Sequence, residues 1–270
     1  MKLIKIASLF AIIYFLAGAV TLRVGLPYLL FPSIPEIGKT SESMRLSAAS
    51  SQMEVLARIY GEKNRPCLIF FTGQHGGAFR YQHELEVGTL KKDITTIIIS
   101  YPSQDGAKGK VNNIVAFAKM TSNFISDLKR QLHCTKSVYY GRSLGAIVAT
   151  YSASQMQPDG LILESSPVSL SQSVKHAISN KWYLFALQLL PIDALVSNDF
   201  NLEVLLKKTD IENIVIFQGE NDSVTPVDNI ELVAWRIGID LVVVNGGTHS
   251  STIAKAKPQI FKQLTEWLYQ

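Results

Sequence analysis

Two regimes of hydrophobic patterning divide the chain. Residues 6–22 form one apolar run without a charge, with Lys2 and Lys5 before it and Arg23 after it. Beyond residue 45, short β-branched runs alternate with segments of mixed polarity. Residues 52–60 read as a strand by alternation, with Met53, Val55, Ala57 and Ile59 on one face. Residues 67–72, 95–101, 137–140, 160–164, 213–218 and 239–245 are continuous apolar runs, as in strands covered on both faces. Between them, helical spacing predicts helices over roughly 79–91, 111–132, 144–156, 227–237 and 250–269.

Repeated strand–helix alternation requires parallel strands joined by right-handed crossovers. The predicted fold class is α/β: a doubly wound, mostly parallel sheet with helices on both faces, over residues 45–270. Residues 167–210 break the rhythm. Helical patterns around 175–190 and 198–207 occur there without a strand, and Trp182, Tyr183, Phe185 and Leu189 make the stretch more aromatic than a crossover needs. It reads as a helical cap inserted above the sheet, with an ordinary long crossover as the alternative.

The first run is a matter of targeting. As a helix, residues 6–22 reach about 26 Å, close to the roughly 30 Å of a bilayer core. One reading is an uncleaved signal anchor; a second is a signal peptide cleaved at Ala17-Gly18-Ala19; a buried helix of the soluble domain is the third. The apolar character continues over residues 24–31, which favours the anchor. Lys2 and Lys5 then place the rest of the chain on the non-cytoplasmic side, membrane-anchored in the first case and secreted or periplasmic in the second. Residues 1–23 are set apart on this basis. Residues 24–44, with Pro27, Pro32 and Pro35, are expected to be a non-helical linker.

Composition adds exclusions. The 270 residues carry 26 basic and 22 acidic side chains, a net charge of +4. Lys2, Lys5 and Arg23 belong to the targeting segment, so no basic stripe remains to argue for a nucleic-acid partner. Cys67 and Cys134 are too few for a disulfide framework or a zinc site. Both adjoin core strands and read as buried free thiols, with one disulfide as the alternative outside the cytoplasm. The chain has no H-E-x-x-H, no metal-spaced histidines and no G-x-G-x-x-G after a strand, so neither a metal nor a cofactor is implied.

Ligands of doubly wound sheets bind beyond the carboxyl ends of the strands. After strand 137–140 the chain reads Gly141-Arg142-Ser143-Leu144-Gly145, followed by small helix-forming residues. This is G-x-S-x-G at a strand-to-helix turn, where a serine in a strained conformation projects its hydroxyl above the sheet and glycines relieve the crowding on either side. A serine hydroxyl needs a base, and the base needs an orienting acid. Asp222 follows strand 213–218 and His249 follows strand 239–245, in the order Ser, Asp, His that suits this elbow. Glu164, at another strand end, is the reserve acid. The Leu144 N–H and a second N–H from Gly73-Gln74-His75-Gly76-Gly77 are the candidate oxyanion donors, with Gln74 preferred over Gly76 or Gly77. His75, His83, His133 and His176 show no ligand spacing, and Asp105, Asp127, Asp193 and Asp199 read as surface or capping residues.

Over nearly all of residues 45–270 the chain resembles the α/β-hydrolase superfamily, and more narrowly the Bem46-type (ABHD13-like) serine hydrolases. The resemblance rests on residues 140–146, 161–165, 219–226 and 246–249. It implies catalytic Ser143, Asp222 and His249, no cofactor, and a membrane segment joined to a hydrolase domain. The chain departs from that family's usual pattern in two turns, at Thr72-Gly73-Gln74 and over residues 101–106. The activity expected from these residues is cleavage of a carboxylic ester, thioester or amide; the aromatic cap and the membrane segment point to a small-molecule or lipid-like acyl substrate. The alternative is a membrane-anchored protein of the same fold that binds without catalysis.

Overall fold

The structure is a computed structural model, described here for residues 2–36, 43–50, 52–86, 93–196 and 200–269. Its centre is an eight-stranded sheet: β1 (Met44–Ala49), β2 (Glu54–Tyr60), β3 (Cys67–Phe71), β4 (Thr95–Ser100), β5 (Ser137–Arg142), β6 (Gly160–Glu164), β7 (Ile214–Gly219) and β8 (Asp240–Val244). The spatial order is β1-β2-β4-β3-β5-β6-β7-β8. β1 and β2 are antiparallel to each other, and β2 is antiparallel to β4; every pairing from β4 onward is parallel. The expected α/β class is therefore the observed one.

The helices are α1 (Lys2–Val20), α2 (Leu26–Leu30), α3 (Ala78–Glu84), α4 (Ile114–Leu132), α5 (Leu144–Met156), α6 (Leu170–Ser179), α7 (Ile192–Leu195), α8 (Leu202–Leu206), α9 (Val227–Ile237) and α10 (Thr252–Tyr269). They cover both faces of the sheet because its inner strands are apolar on both sides. Ile69 and Phe71 of β3 join one core layer with α4 and α5, while Leu68 and Phe70 join the other with α3 and α10. Asn113 caps α4 by accepting from the Ala116 N–H, and the basic residues Lys129 and Arg130 occupy its last turn.

Three features differ from the pattern-based expectation. First, β1 is additional: its Met-Arg-Leu-Ser-Ala-Ala sequence carries too little apolar content to announce a strand, and it forms at the sheet edge on β2. Second, Cys67 and Cys134 form a disulfide, so neither is a free thiol. It ties the start of β3 to the segment that follows α4. Third, the segment after residue 23 is helical as far as Leu30, while Pro32 and Pro35 lie beyond the helix. The chain continues from α1 through a π-helical turn (Thr21–Gly25) into α2, which carries Pro27 as its second residue. Leu22, Leu26 and Phe31 are buried in the main core, and Phe31 meets Tyr101 and Phe117 edge-on.

Residues 170–206 contain α6, a 3-10 turn at Phe185–Leu189, α7 and α8, with no strand among the described residues. The helix expected over 79–91 spans Ala78–Glu84; residues 87–92 and Asp199 lie outside the described residues.

Candidate active site

The site is built where β5 ends. Ser143 has φ 53° and ψ −119°, a region L-residues avoid, and its N–H donates to the Glu164 carbonyl at 2.8 Å. The flanking glycines are required by close approach. A Cβ on Gly141 would lie 2.6 Å from the Ala146 Cα, and one on Gly145 would lie 2.1 Å from the Phe71 carbonyl oxygen. The elbow thus exists because β5 and α5 are pressed together and against β3.

The other two predicted residues converge on Ser143. His249 Nε2 is 2.9 Å from Ser143 Oγ. Its Nδ1 lies 2.9 Å from Asp222 Oδ2 and 3.1 Å from Oδ1. With the proton on Nδ1 facing the carboxylate, Nε2 is left as the acceptor for the serine hydroxyl. The His249 side chain is 25% exposed and that of Asp222 is fully covered, so the imidazole is reachable from solvent and its acid is not.

Asp222 is firmly held. Oδ1 accepts from the Val224 and Thr225 N–H groups, and Oδ2 accepts from Thr225 Oγ1 and Gln218 Nε2. Burial alone would raise its carboxyl, but the His249 imidazole and the Thr225 donors outweigh that and hold it below the usual aspartate value. It is therefore a carboxylate under ordinary conditions.

Of the two expected oxyanion donors, Leu144 follows Ser143 directly and Gln74 follows Gly73, which packs on the elbow. Leu144 is the first residue of α5. Gly73 packs on the elbow: a Cβ there would lie 3.7 Å from the Ser143 Cβ, and its N–H donates to Tyr81 Oη at 3.3 Å. The Gln74 side chain donates to the Leu29 carbonyl at 2.6 Å, and the Gln74 carbonyl accepts from Gln104 Nε2 at 3.2 Å. Among the described residues, neither the Leu144 N–H nor the Gln74 N–H has an acceptor. Gly76 and Gly77 pack closely against Tyr81 and Asp105. Asp105 is buried and accepts from the Ala78 N–H, capping α3.

Glu164 is not within reach of the imidazole. It accepts from Tyr140 Oη at 2.7 Å and from the Ile253 N–H at 3.0 Å, and pairs with Arg142 at 3.4 Å. Burial pushes its carboxyl up, with Arg142, Tyr140 and Ile253 pulling the other way. Arg142 was not anticipated. It also pairs with Glu84 at 2.9 Å and donates to the His249 and Ser250 carbonyls. The available signal was a charged residue between an apolar strand and the serine. His75 is exposed, as its loop position suggests, and the described residues hold no group of three or more His, Cys, Asp or Glu arranged for a metal.

The sheet and its helices are those of the α/β-hydrolase fold. An esterase of Pyrococcus furiosus aligns with a TM-score of 0.70 at 15% identity, covering 88% of this chain and 96% of that one. A carboxylesterase structure from the ammonia-oxidizing thaumarchaeon Nitrososphaera gargenis aligns at 0.60 and 16% identity, covering 83% and 97%. A lidless α/β serine hydrolase of Xanthomonas campestris aligns at 0.53 and 12% identity, covering 86% and 98%. At such identities the likeness establishes the fold. Neither a protein-family model nor a curated relative matches the chain.

Proposed function

We propose that this chain is a serine hydrolase that cleaves a carboxylic ester through Ser143, His249 and Asp222. The reading rests on one observation above all: an unbroken hydrogen-bond chain from Ser143 Oγ through both imidazole nitrogens to a buried carboxylate, starting at a serine of positive φ. Ser143 Oγ attacks the carbonyl carbon as its proton passes to His249 Nε2, and Asp222 stabilises the resulting imidazolium. The N–H groups of Leu144 and Gln74 receive the developing oxyanion. His249 then protonates the departing alcohol, and a water deprotonated by His249 releases the acyl group. An oxygen leaving group needs least assistance, which favours esters over amides.

The setting is membrane-anchored, with the domain on the non-cytoplasmic side. The apolar α1 supports the anchor, and the Cys67–Cys134 disulfide supports an oxidising compartment. Residues 167–210 are read as a cap beside the sheet, and the membrane segment favours an apolar acyl or lipid-like substrate. The narrower kinship with Bem46-type hydrolases belongs to the same proposal and rests on residues 140–146 and 219–226.

Labelling the full chain with a fluorophosphonate, followed by peptide mapping, tests the mechanism. Modification at Ser143 that disappears in His249→Ala is the expected result. A folded chain that resists labelling overturns the mechanism and leaves a binding protein of the same fold.

A further inference from the structure

The docking of the N-terminal helix limits how it can enter a bilayer. Residues 2–13 of α1 are exposed on all sides, but from Tyr14 onward one stripe lies on the domain. Tyr14 Oη donates to the Tyr183 carbonyl at 2.7 Å. Gly18 is pressed on Leu187, whose Cδ2 lies 2.5 Å from where a Cβ would be. Leu22 and Leu26 follow at helical spacing into the core beside Leu187 and Ile192. At about 1.5 Å per residue, residues 2–13 reach about 18 Å, against a hydrocarbon core of about 30 Å. The free part of the helix cannot cross a bilayer with the domain riding above the surface.

The surface beside the docking point fits the shortfall. Trp182 is 89% exposed, Leu189 82% and Phe185 62%, all in the segment whose backbone holds Tyr14. Isolated exposed apolar residues need no explanation, but here they continue the bare apolar surface of α1. Tryptophan and tyrosine are the side chains enriched where acyl chains meet headgroups, and the neighbouring Lys181 has the length to return its charge to water.

We infer that residues 182–189 form a membrane-insertion surface, with Trp182, Phe185 and Leu189 buried among acyl chains alongside α1. The occupant is lipid hydrocarbon, because the surface is continuous with a helix that falls about 12 Å short of spanning alone. The Gln74 side chain holds the Leu29 carbonyl, so the loop packed against Ser143 is tethered to the same N-terminal segment. That tether keeps the site at a fixed height above the leaflet and selects esters whose acyl chains are drawn from the bilayer. The inference rests on the membrane reading of α1, and its substrate clause rests on the ester-hydrolase reading.

Reconstitution of the full chain in phosphatidylcholine vesicles, with and without bromine on the acyl chains, separates these layers. Flotation with the vesicles reports the anchor. Quenching by brominated lipid reports insertion, and Trp182→Phe assigns its share of the emission against Trp235 and Trp267. The expected result is flotation with strong quenching that is largely lost in Trp182→Phe. A chain that floats with Trp182 unquenched overturns the insertion surface and leaves the anchor standing; a chain that stays with the soluble fraction overturns both. Neither readout depends on hydrolysis. For the substrate clause, Trp182→Asp with Leu189→Asp is expected to keep turnover of a soluble short ester and lose about ten-fold or more on a long-chain ester embedded in the vesicles. Unchanged turnover of the embedded ester overturns that clause.

Discussion

The guanidinium of Arg142 holds the carbonyl oxygen of His249 at 3.4 Å and that of Ser250 at 3.2 Å. The residue immediately before Ser143 thus grips the loop that carries His249, while Glu84 and Glu164 hold its other nitrogens. The distance between Ser143 and His249 is therefore set through Arg142 as well as through their own hydrogen bond. Lysine cannot reproduce this fork, having one point charge where three directions are needed.

Arg142→Met should lower kcat by about ten- to a hundred-fold with little change in KM, because an orienting partner is lost and no substrate contact is. It also leaves Glu164 buried without its cation, at a cost of about 3–5 kcal/mol. Adding Glu164→Gln should restore much of the stability and none of the rate. Thermal unfolding and initial rates on both variants check this. Recovery of rate together with stability would show that Arg142 is only structural.

The backbone of Ser143 offers a separate test. Its positive φ stores about 1–3 kcal/mol of strain that glycine avoids, less about 0.5–1 kcal/mol for glycine's greater freedom in the unfolded chain. Ser143→Gly should raise stability by about 1 kcal/mol, a Tm gain of about 2–4 °C, while turnover falls at least about 10³-fold. Ser143→Ala should lose turnover equally without that gain. Calorimetry of the three proteins decides it.

Asp222 makes stability depend on acidity in a defined direction. Its folded-state value is depressed, so the carboxylate's contribution is fully present above the unfolded value, near 3.9, and is lost as pH falls through the lower folded value. The Tm difference between wild type and Asp222→Asn should be widest above about pH 5 and should narrow as pH drops below about 3.9. A gap that widened in acid would contradict the depressed value.

The sequence carried the strands well, since buried parallel strands must be apolar on both faces. Residues 160–164 form β6 at the expected bounds, and α5 and α9 fall at theirs. It also carried Ser143, Asp222 and His249, because each follows a strand and only their order and strand ends had to be read. What it concealed depends on packing between distant segments. The edge strand β1 draws its order from pairing with β2, and the Arg142 cluster joins residues 22 to 108 positions apart. The pairing of Cys67 with Cys134 likewise needed the fold, which brings their Cα atoms to 5.5 Å.

Proline content suggested a linker over residues 24–44, yet Phe31 stacks edge-on against Tyr101 and Phe117 in the core. Phe31→Ala should cost about 3–5 kcal/mol, as for other buried phenylalanines. A chain beginning at residue 40 should lose cooperative unfolding or melt far below the full chain, whereas one beginning at residue 20 keeps Leu22, Leu26 and Phe31 and should fold. Equal melting of the two truncations would show that the segment is dispensable.

The disulfide closes a loop of 67 residues in sequence separation, and chain entropy assigns such a closure about 4 kcal/mol. It joins the start of β3, whose Phe71 carbonyl abuts Gly145 of the elbow, to the segment that follows α4. Neither cysteine touches Ser143, Asp222 or His249, so the effect of losing it should fall on stability and leave the rate intact. Cys67→Ala with Cys134→Ala, or reduction of the wild type, should lower Tm by several degrees while kcat below the melt stays within about two-fold. A fall in kcat at temperatures where the variant remains folded would show instead that β3 moves and takes the Gly73–Gln74 loop with it.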